Sequence, residues 1–360
     1  MKTAMSLVQM AETLMAQADQ KRDYVAPTGS LKMSADATRV SVGTAAEGAL
    51  TRHAERQLAG KLEIPVAFYD RLRDNHPDLL SNTVNTLFQR EPQKVMVRTL
   101  NDKVRAFVSD RFRPLDNFDL FQAIAPQLIE MGATVESCEL TETKLYIKAL
   151  APWLDRELAM PEGLKMGVGH NIFTRKIIGA ITISNSEVGA GALAISPAIF
   201  ERQCTNLAVF KSDGYGKLHV GKALGGDDVQ QYLSDETKRL SDAAVWAQAR
   251  DVVKATLDGR VLDQIVAKME AARGDVIEVN PSGVVEVFAK RNRFTEEEKG
   301  DLLKHLVGSG EMTRYGLQWA VTRMANDTID YDRASELERL GGQVIELNKT
   351  EWKEILKAAA

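Results

Sequence analysis

Apolar residues follow two different spacings along this chain, and the change between them limits the folds that it can adopt. Over residues 47–89 they recur every three or four positions, which is the spacing of amphipathic helices. At Lys94 the spacing becomes two, because 94–100 and 103–109 alternate on either side of a polar Asn101-Asp102 turn, which predicts a β-hairpin. Both periods together predict an α+β fold with antiparallel strands.

Further strands and one central helix are expected around this hairpin. The helix begins after Asp116 and ends at Gly132, and Pro126 within it predicts a kink or an early end because proline lacks the backbone N–H. Alternating and β-branched stretches predict strands within 31–42, 133–140, 143–150, 164–174, 177–184 and 192–200. Arg175 and Lys176 are then expected at a hairpin tip.

The last third of the chain has helical spacing. Residues 229–273 predict two helices divided near Asp258-Gly259, Thr295 opens a capping box, and the last predicted helix carries the stripe from Leu317 to Met324. Glycine-rich residues 212–228 suggest a boundary. We therefore expect three regions: an N-terminal strand plus helices (1–93), an α+β core with basic hairpins (94–222), and a mainly helical C-terminal region (223–360).

Composition excludes several classes of protein. The chain has 360 residues, two cysteines and a net charge of −4, so a disulfide framework is not expected. It has neither a continuous apolar run long enough to span a membrane nor the apolar stretch of a signal peptide. These features predict a cytoplasmic protein with no membrane partner.

The sequence shows no signature of catalysis. It lacks a Walker-type phosphate loop, and the short glycine run at 189–191 lies between two predicted strands, which favours a turn over a dinucleotide site. Its histidines and cysteines share no short ligand spacing, so neither a metal nor another cofactor is expected. One alternative remains open, an enzyme built on His170, Cys204 and His219, but no catalytic residue is assigned.

Two basic blocks lie in the middle third of this acidic chain. Residues 94–113 hold six basic and two acidic side chains, and residues 165–222 hold seven and three. Arginine interleaved with aromatic residues on strands can hold phosphates while stacking bases. The candidate nucleic-acid-binding residues are Arg98, Lys103, Arg105, Phe107, Arg111, Phe112, Arg113, Arg175, Lys176, Lys211, Lys217 and His219. The competing interpretation places the phenylalanines in the core and pairs the arginines with neighbouring acids.

Three ordered motifs resemble a family of phage- and plasmid-associated proteins of unknown function. Residues 104–117 resemble its "RA–SDRYR–LDN" segment, and 202–206 with 217–221 resemble its Cys-Thr-Asn and basic-His-x-Gly elements. Residues 315–323 and 331–334 resemble its closing helix, although Leu207 stands where that family usually has glycine. The resemblance covers about residues 60–340 and implies a mobile-element protein of a bacterial cytoplasm that acts near DNA metabolism. The order of elements is also reminiscent of phage single-strand annealing proteins of the Redβ, RecT and Erf kinds.

Three functions are compatible with these observations. The leading hypothesis is a phage or plasmid nucleic-acid-binding protein that anneals or recombines single-stranded DNA and assembles into homo-oligomers. The second is a protein-binding module, such as an inhibitor of a host defence complex. The acidic helical C-terminal third favours this hypothesis. The third is the enzyme described above, and a non-enzymatic protein is favoured over it.

Overall fold

The computed structural model describes residues 5–90, 92–112, 114–159, 174–211 and 234–360, which form an α+β fold. Its first sheet has six strands within these residues, in the order β1-β5-β6-β4-β3-β2, and only the β4–β6 pair is parallel. The strands are β1 Lys21–Pro27, β2 Leu31–Met33, β3 Arg39–Val42, β4 Ala46–Leu50, β5 Lys94–Leu100 and β6 Lys103–Ser109. One face packs against helices α2 Arg52–Lys61, α3 Val66–Asn75 and α4 Pro77–Arg90.

The second sheet is antiparallel, with the order β11-β10-β9-β8-β7 among the strands that are described. These are β7 Thr134–Leu140, β8 Leu145–Ala159, β9 Thr174–Asn185, β10 Ala194–Glu201 and β11 Asn206–Val209. One face carries the largest apolar cluster and is covered by α1 Leu7–Ala18, α5 Asn117–Glu130, α6 Asp235–Thr256 and α7 Gly259–Arg273. The opposite face carries a smaller apolar cluster around Leu150, Ala180 and Leu207.

The C-terminal helices build a separate apolar core and close one edge of the second sheet. They are α8 Pro281–Arg291, α9 Glu296–Ser309, α10 Arg314–Asp327, α11 Tyr331–Glu346 and α12 Lys349–Ala359. Gly342 of α11 lies so close to edge strand β11 that a Cβ placed there would be 1.9 Å from the carbonyl oxygen of Val209. The helix can therefore cover the backbone of an edge strand, which would otherwise be open to pairing.

Several sequence predictions are confirmed. The hairpin has the predicted bounds, α6 and α7 are divided at Asp258, and Thr295 forms both hydrogen bonds of a capping box. Gly189 has a φ of 76° and lies in the turn between β9 and β10, as a glycine turn requires. The hairpin belongs to the first sheet, and residue 93, the expected end of the first region, lies in the connection between α4 and strand β5 of that sheet.

Other local predictions are wrong, and tertiary contacts explain why. Residues 46–50 form strand β4 instead of a helix start, because Gly48 lets the chain approach the backbone of Asp102 and Val104 closely enough to pair with β6. Of the two outcomes expected at Pro126, the early end is wrong: helix α5 continues through Pro126 to Glu130, since burial of its apolar stripe outweighs the lost hydrogen bond. Two further helices, α11 and α12, follow the one predicted as the last.

A β-bulge at Arg105 changes the side-chain pattern of the hairpin. Arg98 pairs with Ala106 and Thr99 pairs with Val104, so Arg105 is the extra residue of β6. Val104 and Phe107 consequently share the face that packs on the helices, although strict alternation predicts opposite faces for them.

Candidate functional site

Two of the predicted nucleic-acid-binding arginines form ion pairs: Arg98 is buried and Arg105 is half-buried. The Arg98 guanidinium is buried, donates to Asp23 over 2.8 Å, and lies 3.2 Å from a carboxylate oxygen of Asp116. Arg105 pairs with Glu187 over 3.1 Å. Their charges are therefore compensated inside the protein, as in the competing interpretation of the sequence.

Glu187 is the centre of this cluster and joins the two sheets. It follows β9, and its fully buried carboxylate accepts from the Asn117 backbone N–H over 2.7 Å and pairs with Lys21 of β1 and Arg105 of β6. Its backbone carbonyl accepts from Arg98 over 2.6 Å. Burial alone would raise the pKa of the Glu187 carboxyl, but the charges of Lys21 and Arg105 hold that pKa below its usual range.

The two predicted stacking residues are not presented as free aromatic faces. Phe107 is 2% exposed and lies in the core of the first sheet. Phe112 is half-buried against Ala106 and Val108, with the Arg98 guanidinium 6.0 Å from its ring centre. Phe107 therefore cannot stack on a base in this conformation.

Arg175 lies within β9, paired with Leu158 of β8, and not at an exposed hairpin tip. It is 2% exposed, pairs with Glu201 over 3.1 Å, and donates to the hydroxyl of Tyr315 over 3.3 Å. The Arg175 side chain is therefore enclosed by residues of β10 and the start of α10, and this placement conflicts with the prediction that it contacts a phosphate.

The exposed members of the predicted set lie on different parts of the molecule. Lys103 belongs to the first sheet and Arg111 to the turn after it, whereas Lys176 belongs to the second sheet and Lys211 follows its edge strand β11. Asn185 of β9 donates to the Leu115 carbonyl where the sheets meet, and Lys176 lies nine residues earlier, about 30 Å along the strand. Arg113, Lys217, His219 and His170 lie outside the described residues.

A groove of about 700 Å³ crosses the second face of the second sheet, beside the α10–α11 connection. Its floor is apolar and includes Leu150, Phe200 and Leu207. Its rim includes Ile329, whose side chain is 95% exposed, and Thr205. This volume is within the range of ordinary ligand sites.

A polar chain of four side chains lies at the β7 end of the groove. The Lys148 ammonium group lies 2.7 Å from Glu338 of α11 and 4.5 Å from the centre of the Tyr331 ring. The Tyr331 hydroxyl is 2.9 Å from the Ser137 hydroxyl of β7. Burial alone would lower the pKa of Lys148, but the charge of Glu338 raises it, so this lysine is a cation and not a nucleophilic amine.

The groove brings together three segments that are separate in the sequence. Thr205 comes from the β10–β11 turn, Arg323 from α10 and Tyr331 from the start of α11, and all three line the groove. Asn326 of α10 donates to the Cys204 carbonyl over 3.2 Å, which fixes the turn against the helix. Residues that are far apart in sequence thus form one surface.

Among the described residues, the surroundings of Cys204 are not those of an activated nucleophile. Burial raises the pKa of its thiol, and the nearby Glu201 carboxylate raises it further. Within the described residues, no group of three or more His, Cys, Asp or Glu side chains is arranged to hold a metal ion, and no helix is both long and apolar enough to cross a membrane.

The chain matched no protein-family model, no curated protein and no solved structure. The assignment of the groove as a candidate functional site therefore rests on the geometry of the groove. Sequence reasoning missed Lys148 and Glu338, although strict alternation over 143–150 puts Lys148 on the face opposite Leu145 and Ile147.

Proposed function

We propose that this chain is a protein-binding module whose groove takes an extended segment of a partner protein. The observation that carries the proposal is the apolar floor of Leu150, Phe200 and Leu207 beside the exposed Ile329. Apolar contacts of this kind supply most of the affinity at protein interfaces. Together with the resemblance to phage and plasmid proteins, this makes a host protein the favoured source of the segment.

The dimensions of the groove suit a short peptide. Its lining runs from Ser137 on β7 to Leu207 on β11, across four strand spacings. At about 4.8 Å per spacing this is about 19 Å, which an extended chain of about six residues spans.

The charges of the groove favour a peptide over a nucleic acid. Its lining holds Lys148 and Arg323 against Glu136, Asp327 and Glu338. A polyanion site needs an excess of positive charge to attract phosphates, and this lining has none.

The proposal predicts that Ile329→Glu weakens peptide binding at least about tenfold, because it removes an apolar contact and places a charge beside an apolar floor. Peptides would be selected from a phage-displayed random heptapeptide library on the wild-type protein, and their Kd measured by fluorescence polarisation. Val307→Glu is the matched control, since Val307 is an exposed aliphatic residue of α9 outside the groove lining. The proposal would be contradicted if no peptide were selected, or if both variants weakened peptide binding to the same extent.

A second function, binding of single-stranded nucleic acid, is favoured by two adjacent exposed cations. The Arg202 backbone N–H donates to the Lys176 carbonyl over 3.1 Å, and both side chains are exposed at one end of the second sheet. In this second proposal, Lys176 and Arg202 contact the phosphates of single-stranded DNA, and homo-oligomers of the protein assemble along that DNA.

If the protein binds single-stranded nucleic acid, its affinity should fall steeply as the salt concentration rises. The quantity to measure is the slope of log Kobs against log salt concentration for a labelled single-stranded oligonucleotide. Lys176→Glu/Arg202→Glu should make this negative slope shallower by about 1.4, since each lost phosphate contact contributes about 0.7. The measurement is a fluorescence-anisotropy titration at two salt concentrations. Lys290→Glu/Arg291→Glu is the control, because these two exposed residues end α8. An affinity that does not change with salt would contradict this function.

A further inference from the structure

We infer that the groove selects a partner segment that carries a basic side chain, lysine or arginine, between apolar residues. This inference rests on the proposed protein-binding function and adds the chemistry of the bound segment. Two of its grounds lie at the β7 end of the groove, where Glu338 and Glu136 line it beside Lys148.

The first ground is the Glu338 carboxylate, which is 7% exposed and lines the groove. Its Oε1 accepts a hydrogen bond from Lys148 over 2.7 Å. Its Oε2 lies at the same distance from Lys148 but outside hydrogen-bonding geometry, and has no hydrogen-bond partner among the described residues. Lys148 donates one hydrogen bond to a carboxylate that can accept several, so the negative charge of Glu338 still contributes to the potential at this end of the groove and favours a cationic side chain nearby.

The second ground is Glu136, an exposed residue at a bulge of edge strand β7. Val135 pairs with Ala149 and Ser137 pairs with Lys148, so Glu136 is the extra residue. Its carboxylate has no ion pair within the part of the chain that is described, and it lines the same end of the groove as Lys148. It is therefore available to a positively charged side chain.

The third ground is the balance of charge along the groove. At the α10 end, Arg323 and Asp327 form an ion pair of 3.5 Å and compensate each other. At the β7 end, Glu136 and Glu338 exceed Lys148 by one negative charge. A lysine or arginine side chain would neutralise this end, whereas an acidic side chain would meet two carboxylates, and like charges at an interface select against the wrong partner.

The test is the same heptapeptide selection, followed by Kd measurements on wild type, Glu136→Lys and Glu130→Lys. We expect the wild type to enrich lysine or arginine at one position with apolar neighbours. Glu136→Lys should bind such a peptide at least about fivefold more weakly and prefer glutamate or aspartate at that position, since it replaces an attraction with a repulsion. Glu130→Lys makes the same change at an exposed residue that ends α5 outside the groove lining, and should bind as wild type does.

The outcomes separate this inference from the proposed function. Selected peptides that lose affinity with Ile329→Glu, but show no basic position and no response to Glu136→Lys, would overturn the basic-side-chain inference and leave the groove in place. If nothing binds, or if binders ignore Ile329→Glu, the protein-binding function itself fails. An acidic consensus would also overturn the inference.

Discussion

Replacing Glu187 with glutamine is expected to lower the free energy of unfolding by about 3–5 kcal/mol, the usual cost of removing one partner from a buried ion pair. The buried carboxylate compensates Lys21 and Arg105 and accepts the N–H of Asn117. The neutral amide therefore leaves Arg105 without its counter-charge and leaves Lys21 with only the Asp116 carboxylate, 3.9 Å away. The measurement is urea denaturation followed by circular dichroism. Glu354→Gln, an exposed change on α12, should stay within about 0.5 kcal/mol of wild type.

The Glu187 contribution should also depend on pH with a defined sign. Its pKa in the folded protein lies below the ordinary glutamate value of 4.5, so its stabilisation is complete above that value and is lost as the pH falls through the folded pKa. The difference in unfolding free energy between wild type and Glu187→Gln should therefore shrink below about pH 4.5. A difference that stays constant from pH 7 to pH 3 would contradict this account of the cluster.

Local sequence signals predicted the elements whose stability is local. The Asn101-Asp102 turn, the helix boundary at Asp258 and the Thr295 capping box each rest on a few neighbouring residues, and each was found as expected. The bulge at Arg105 could not be predicted, because it depends on how β5 and β6 align. A one-residue change of register exchanges the two faces of a strand, which moved Phe107 into the core.

The charged residues show the same limit at the level of function. A count of arginines in residues 94–113 suggests a basic surface, but two carboxylates that compensate these arginines are distant in sequence. Asp23 lies 75 positions from Arg98, and Glu187 lies 82 positions from Arg105. The residues that line the groove are likewise far apart in sequence, since Glu136 and Glu338 line the same end of it. Only the packing of α11 on the second sheet brings these residues together, and no spacing along the chain encodes that contact.

Replacing Gly342 with alanine is expected to lower the free energy of unfolding by at least about 3 kcal/mol, at the upper end of the cost of overpacking. The added Cβ would lie 1.9 Å from the Val209 carbonyl oxygen and 2.6 Å from its carbonyl carbon, and backbone atoms cannot rotate away as a side chain can. Helix α11 would have to move away from β11. Gly300→Ala is the control, because nothing lies within 4 Å of a Cβ at that position of α9, and alanine should stabilise this helix by about 0.5–1 kcal/mol.

The same substitution also tests whether the groove depends on the position of α11. Tyr331 and Glu338 are both α11 residues of the groove lining, so a displaced helix would change the wall that faces Ser137 and Lys148. Gly342→Ala should therefore weaken the selected heptapeptides in fluorescence polarisation at temperatures where the protein is still folded by circular dichroism, whereas Gly300→Ala should not. If Gly342→Ala were as stable as wild type and bound peptide equally well, the close contact between α11 and β11 would not be what holds this wall of the groove in place.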